Sequence, residues 1–351
     1  MQDILADLAR WKKENRSIAT ATVIQTWGSS PRGVGSKMAL TLDGEVTGSV
    51  SGGCVENAVI EAGIQSLKTG RPQLLHFGVT DETAWEVGLA CGGSIDVFVN
   101  PLENNFFEDL LSALENNKSL AIATVIRGSD VFLGRKLVIH KYSQSTGWLG
   151  NNWNGLIDKL ASKVILRGDP QRVALDDEVE LFLESILPPP TLIMVGGVHI
   201  AIALSSLAKT LGYRTVVIDP RKVWGNMKRF PHVDQLIQTW PDDAFQKIEV
   251  TRSTAIATLT HDPKMDDPTL KFALSSLAFY VGALGSKTTQ AKRRERLLYE
   301  GLTESRLDRL HGPIGLDINA RTPEEIALAI MAEVVGAYRK QEQEPIEVDA
   351  E

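Results

Sequence analysis

The chain has 351 residues, 43% of them hydrophobic and 23% charged, with a formal net charge of −7. That is the profile of a soluble globular protein long enough for two domains, and its acidity weighs against a nucleic-acid partner, which demands a basic surface. No apolar run is long enough to span a bilayer and the first residues hold no apolar signal core; with only Cys54 and Cys91 there is no disulfide framework, so the expected compartment is the reducing cytoplasm.

In chain order, the opening MQDILADLARWKKEN reads as an amphipathic helix with Ile4, Leu5, Leu8 and Trp11 on one face. A repeat follows. IATATVIQTWG around Thr22-Val23-Ile24 resembles LAIATVIRGS around Thr124-Val125-Ile126. One constant offset then sets Gly35-Ser36-Lys37-Met38 against Gly134-Arg135-Lys136-Leu137, and Thr47-Gly48 against Thr146-Gly147. Each copy reads strand, glycine-bearing loop, strand, turn and helix, with Asp43-Gly44 as the hairpin turn of the first. The expected architecture is an α+β domain with an internal pseudo-repeat; chance similarity of strand patterns is the competing account. The copies part at Gly52-Gly53-Cys54, which faces Asn151-Asn152-Trp153, so the first copy is expected to carry the site. A helix is expected over 176–187, ended by Pro188-Pro189-Pro190.

Beyond the prolines, short apolar runs alternate with helices. Thr191–Val195 is a strand, Gly196-Gly197 a turn, and 200–211 a helix that Gly212 stops. Further strands are expected at 215–218, ending at Asp219, and at 235–238, 254–259 and 279–281. That alternation defines a Rossmann-like, doubly wound parallel sheet. Thr322-Pro323-Glu324-Glu325 is a capping box that opens a long helix through Ile326, Ile330 and Val334, and QEQEPIEVDAE reads as an acidic tail. The expected domains are 1–187 and 188–340, with the tail at 341–351.

Ser51-Gly52-Gly53-Cys54-Val55-Glu56 is the most informative stretch. Its glycines allow a tight turn and close approach of a ligand. Helical periodicity from Val55 puts Cys54 at a helix N-terminus, where unpaired amides and the macrodipole favour thiolate over thiol and suit a phosphate or oxo-anion. Cys91-Gly92-Gly93 repeats the pairing of thiol and glycines ahead of a strand at 95–99. Two small core cysteines are the competing account. Two cysteines without a close histidine pair do not complete a zinc site. The loop from Gly28 to Lys37 sets Arg32 and Lys37 among small residues, as an oxygen-anion cradle or as a plain solvated loop.

In the second half, Gly196-Gly197-Val198-His199-Ile200-Ala201 departs from the dinucleotide fingerprint. Val198 holds the place of the second glycine, where a side chain crowds a pyrophosphate. Asp219 is placed for a ribose hydroxyl, so NAD(P) and an empty Rossmann-like fold both stay open. His261 and Asp262 follow a strand at its carboxyl end, the ligand edge of open parallel sheets, as an acid–base pair or as a capped turn. Gly282-Ala283-Leu284-Gly285-Ser286-Lys287 leads into a basic helix, as an anion site or as surface. The second-half ligand set is therefore Gly196, Gly197, His199, Asp219, His261 and Asp262.

Eight motifs in order, GSSPRGVGSKM, GSVSGGCVEN, ACGGSIDVFV, LIMVGGVHIAIAL, VVIDPR, THDPKMDDP, YVGALGSK and GLDINARTPEEIA, resemble the xanthine dehydrogenase accessory factor family. That family includes the accessory protein of carbon monoxide dehydrogenase maturation. The resemblance implies a cysteine-bearing N-terminal domain before a Rossmann-like one. It also implies a chaperone more than a turnover enzyme, one that binds the molybdenum cofactor in its molybdopterin form. Such a protein supports installation of the terminal sulfido ligand with a cysteine desulfurase, helps insert the cofactor into an apo-molybdenum hydroxylase, and is compatible with a homodimer. Carried over, Cys54 and Cys91 become cofactor or sulfur contacts, with Cys54 toward the metal. Arg32, Lys37 and the Gly52 and Gly53 amides become pterin-phosphate contacts, with Ser51 and Glu56 beside them. Two departures stand out: Gly196-Gly197-Val198 where similar proteins read GAG, and Asn319 where they have glycine, a left-handed position that asparagine tolerates. The alternative is an NAD(P)-dependent oxidoreductase using His261 and Asp262.

Overall fold

A computed structural model describes residues 2–78, 93–115, 118–140, 146–147 and 154–343. The chain divides into two compact units, 1–188 and 189–351, and each is taken by itself.

The first unit is built twice over. The first copy runs α1 (Gln2–Lys13), β1 (Ile18–Trp27), β2 (Lys37–Thr41), β3 (Val46–Gly48), α2 (Glu56–Thr69), β4 (Gln73–Phe77) and β5 (Ser94–Pro101). The second runs α3 (Asn104–Glu115), β6 (Leu120–Arg127), β7 (Lys136–His140), β8 (Thr146–Gly147), α4 (Asn154–Arg167), β9 (Gln171–Ala174) and β10 (Glu180–Ile186). Their sheets have matching orders, β3-β2-β1-β5-β4 and β8-β7-β6-β10-β9, and all their pairings are antiparallel. The register matches too. Thr22 sits between Lys37 and Phe98, as Thr124 sits between Lys136 and Phe182. Each central strand bulges at one residue, Ile24 and Ile126 in turn, where the ladder skips a position. The bulged isoleucines meet Phe98 and Phe182 in one shared cluster, with Val34 and Leu133 packed against it.

The physical logic is that of two half-cores. The α1 face read from the sequence is buried: Ile4, Leu8 and Trp11 join Phe106, Phe107 and Leu110 of α3. α2 covers the other face of the first sheet through Val59 and Ala62, and α4 covers the second through Ile157, Ala161 and Val164. The copies also interlock at matched glycines. A Cβ on Gly35 would lie 3.0 Å from Pro170, and one on Gly134 would lie 2.4 Å from Pro72.

The helix expected over 176–187 is not formed; Glu180–Ile186 is β10, paired to β6 on one side and β9 on the other. Asp176 Oδ1 accepts from the amides of Glu178 and Val179, and that side-chain bonding closes a turn between β9 and β10. Pairing on both edges and burial of Leu181, Phe182 and Leu183 outweigh the local helical preference.

The second unit carries β11 (Thr191–Val195), α5 (His199–Thr210), β12 (Arg214–Ile218), β13 (Gln235–Ile237), α6 (Pro241–Phe245), β14 (Thr254–Thr258), α7 (Pro263–Ser275), β15 (Tyr280–Ala283), α8 (Lys287–Tyr299), α9 (Glu304–Leu307), β16 (Leu310–His311) and α10 (Pro323–Gln343). Its six strands lie in the order β13-β12-β11-β14-β15-β16, all parallel. One face is covered by α5 and α10 and the other mainly by α6, α7 and α8, the Rossmann-like arrangement. The capping box is reciprocal: Glu325 N donates to Thr322 Oγ1, and Thr322 N donates to Glu325 Oε2. Asn319 is left-handed, with φ 57°. α10 continues to Gln343, past the expected start of the acidic tail, and residues 344–351 lie outside the described residues.

Candidate functional site

In the first unit the site residues gather where β1 and β3 end and α2 begins. Gly52 and Gly53 have φ of +78° and +119°, a region that disfavours any residue with a Cβ. They fold the 49–55 segment around the carboxylate of Glu56. Glu56 Oε1 accepts from Ser49 Oγ at 2.7 Å, Val50 N at 3.3 Å and Ser51 N at 2.9 Å. Its Oε2 accepts from Ser51 Oγ at 2.5 Å, Gly53 N at 2.8 Å and Val55 N at 3.2 Å. The remaining amides are claimed locally, Gly52 N by Ser49 Oγ, and Cys54 N and Val55 N by Ser51 Oγ. Burial would push the Glu56 carboxyl up, but the bonds from Ser51, Ser49 and the backbone hold it down at about 2.

The amides of the glycine turn are thus directed at a carboxylate of the chain itself, Glu56. Cys54 sits one residue before Val55, the N-cap of α2, as the helical periodicity required. It is half-buried, has no disulfide partner among the described residues, and packs against the core of the first copy. The negative charge that a helix N-terminus favours is supplied by Glu56.

The loop after β1 lies against this turn. Arg32 Nε donates to Ser49 O at 3.2 Å, and a Cβ on Gly52 would stand 3.7 Å from Pro31 Cβ. On its other side, a Cβ on Gly93 would fall 2.4 Å from Ser29 O and 2.6 Å from Trp27 O, so only glycine permits that approach. Cys91 and Gly92 lie outside the described residues. Lys37 does not join the group: it is 4% exposed, and its Nζ donates to Thr22 Oγ1 at 2.9 Å and Glu184 Oε1 at 2.8 Å.

The structure adds a pair that sequence reasoning missed. His76 Nδ1 lies 2.6 Å from Asp96 Oδ1, while Arg172 from the second copy donates to Asp96 Oδ2 at 2.8 Å and to Gln25. Trp27 meets the His76 ring edge-on at 6.1 Å. His76, Asp96 and Arg172 belong to separate strands, and no local spacing joins them.

In the second unit the glycine turn is closed by its own chain. A Cβ on Gly197 would lie 2.7 Å from Trp224 O, and Arg229 Nη1 donates to Gly197 O at 2.6 Å. Asp219 is fully buried and accepts from Gly197 N, Arg221 N and the Arg221 guanidinium. Burial opposes its ionisation, but those donors hold its pKa below the ordinary carboxylate value. The carboxylate expected to meet a ribose hydroxyl is thus closed to it. Val198 caps α5 without a side-chain bond, and His199 opens that helix, exposed. Asp262 caps α7 through Lys264 N at 3.0 Å, the capped turn rather than an acid–base pair. His261, beside it, lines a separate cleft. Among the described residues no group of three or more His, Cys, Asp or Glu is placed to hold a metal ion, and no helix is long and apolar enough to cross a membrane.

A duplicated α+β unit with a half-buried thiol on a glycine turn, followed by a Rossmann-like unit with a self-covered glycine turn, defines the class of protein. Family models agree: the XdhC Rossmann domain matches residues 192–334, and the XdhC and CoxI family matches residues 11–78. The chain belongs to the XdhC and CoxI family of xanthine dehydrogenase accessory factors. It is 27% identical over 335 residues to a probable xanthine dehydrogenase subunit of Bacillus subtilis (strain 168), covering 93% of this chain and 95% of that one. It is 26% identical over 325 residues to the molybdenum cofactor insertion chaperone PaoD of Escherichia coli (strain K12), covering 92% of this chain and 84% of that one. A crystal structure described as a xanthine dehydrogenase from Bacillus halodurans superposes with a TM-score of 0.79 at 26% identity, covering 97% of this chain and 96% of that one.

Proposed function

We propose that this chain binds the molybdenum cofactor as cargo in the cytoplasm and delivers it to an apo-molybdenum hydroxylase. In the same reading, a cysteine desulfurase supplies the terminal sulfido ligand while the cofactor is held. The observation that carries the proposal is Cys54, a thiol on a turn whose backbone is held in place by Glu56, in a chain similar over most of its length to a molybdenum cofactor insertion chaperone. A thiol is a fitting donor toward a metal that arrives with its own sulfur ligands. The amides of Ser51, Gly53 and Val55 already serve Glu56, so the pterin phosphate is assigned to the 28–36 loop with Arg32, and the amide cradle is assigned to positioning the thiol. Cys91 is proposed as a second sulfur contact. The NAD(P) reading is not carried forward, because Asp219 is sealed and the 221–230 segment lies on Gly197.

The test is a titration of the full chain with cofactor released anaerobically from a donor enzyme, against Cys54→Ala and Cys91→Ala. Saturable binding weakened about tenfold or more by Cys54→Ala is expected, the scale of one lost strong contact. Absence of saturable binding would refute the function, and binding untouched by either substitution would remove the site from the thiols.

A further inference from the structure

The carboxyl end of the parallel sheet holds a second feature that the proposed function does not use. Between the turn after β14 and the first turns of α8 lies a cleft of about 210 Å3. Its α8 wall is one helix face: Thr289, Lys292, Arg293 and Arg296 follow one another at the three- and four-residue spacing that aligns side chains. Ser286, the N-cap, and Thr288 stand at the mouth. Ser286 Oγ accepts from Thr289 N at 3.2 Å, while the amides of Lys287 and Thr288, in the first turn of the 13-residue helix, have no preceding turn of carbonyls to donate to.

A helix start alone is common, but Arg293 makes this one different. It is 1% exposed. Its Nη2 donates to Asp266 Oδ2 at 2.9 Å and its Nη1 to Gln290 Oε1 at 2.6 Å. Its Nε–H, also buried, has no acceptor among the described residues. Buried donors in native proteins are almost always satisfied, and an orphan in the wall of a cleft points to an acceptor that is not part of the chain. Charge points the same way. Asp266 pairs with Arg293 and takes a further bond from Thr260 at 2.5 Å, and Asp267 pairs with Arg296. Lys292, exposed on the same face, forms no ion pair among the described residues. The paired cations are neutralised and Lys292 remains in excess.

We infer that this cleft is a binding site for a phosphate group. The first-turn amides of α8 and the hydroxyls of Ser286 and Thr288 receive the oxygens, Lys292 balances the charge, and Arg293 supplies its unpaired Nε–H. The cleft is smaller than the roughly 300–1,000 Å3 of sites that enclose whole ligands, so it holds a phosphate head group, either free phosphate or the end of a phosphomonoester. The inference is independent of the cofactor reading in the first unit.

The full chain is titrated calorimetrically with inorganic phosphate and, separately, with glycerol 3-phosphate. Saturable binding of at least one is expected, weakened about tenfold or more by Lys292→Ala and by Thr288→Pro, which removes one first-turn amide. Lys209→Ala, remote on α5 and paired with Asp234, leaves it unchanged. Arg293→Lys keeps a cation for Asp266 and removes the Nε–H, and weakens binding where the variant folds; Lys292→Ala carries the test where it does not. Tighter binding of the ester assigns the site to phosphomonoesters, and equal binding assigns it to free phosphate. No saturable binding of either probe, or affinities in Lys292→Ala and Thr288→Pro equal to wild type, overturns the inference.

Discussion

Replacing Glu56 by alanine is the sharpest test of how the thiol-bearing turn is built. The carboxylate accepts six hydrogen bonds, from Ser49, Val50, Ser51 twice, Gly53 and Val55. Bonds to a charged acceptor are each worth about 1.5–3 kcal/mol when buried, but this turn is partly open and its amides rehydrate once the carboxylate is gone. A net loss of about 2–3 kcal/mol in local stability follows, which lowers hydrogen-exchange protection of the 50–55 amides by roughly 30- to 150-fold. Glu56→Gln keeps one acceptor oxygen and falls between. The pH dependence has a definite sign. The folded carboxyl titrates at about 2 against an ordinary value of 4.5. Its contribution is therefore complete above about pH 4.5 and lost as pH falls through about 2. The protection gap between wild type and Glu56→Ala should narrow over that window. Equal protection in wild type and Glu56→Ala at pH 7 would refute the claim that Glu56 organises the turn.

Two further outcomes follow from the first unit. Lys37 and Glu184 form a buried pair across the two copies, so Lys37→Met or Glu184→Leu alone costs about 3–5 kcal/mol by urea unfolding, while the double variant recovers most of it; additive losses would mean the pair is not coupled. Gly93→Ala drives a methyl into Ser29 O and Trp27 O and costs about 1–3 kcal/mol, with raised exchange at residues 27–32; a neutral result would mean that the loop yields without strain.

Much of the second unit was legible because its signals are local. Strand lengths, glycine stops and the Thr322 capping box each act within a few residues, and the observed boundaries at Thr191–Val195, Arg214–Ile218 and Pro323 follow them. The repeat was legible for the same reason, since the Thr-Val-Ile strands and the offset Gly35 and Gly134 loops repeat a local pattern. What escaped was every feature made by distant pairing. β10 looked helical because nothing near 180–186 announces two flanking strands. Lys37 looked like a loop cation because its partner is 147 residues away. His76 with Asp96 and Arg293 with Asp266 are fixed by strand register and helix placement, which composition does not encode. The turn at 49–56 has the glycines and amides of an anion site, and the structure sets the carboxylate of Glu56 among them; a side chain that fills its own cradle has the sequence signature of an empty one.

The duplication explains why the thiol can stand on so small a turn. Three of the cross-copy contacts fall near the thiol-bearing end of the first sheet. Pro170 meets Gly35 in the loop after β1, Glu184 holds Lys37 at the start of β2, and Arg172 binds Gln25 and Asp96 where β1 and β5 meet that loop. The copies have diverged to suit this. Glu184 corresponds in register to Asn100, which bonds Thr20 at 3.2 Å, so these matched positions supply one carboxylate rather than two, and it bonds Lys37. Burial and the neighbouring Lys37 push Lys136 down to about 8. A symmetric pair of glutamates would neutralise both lysines and brace both copies alike. The asymmetry concentrates support on the copy with Cys54, and the second copy acts as its buttress: a first copy cut free of it would lose the counter-ion of Lys37, the clamp on Asp96 and the packing surface of Gly35 together.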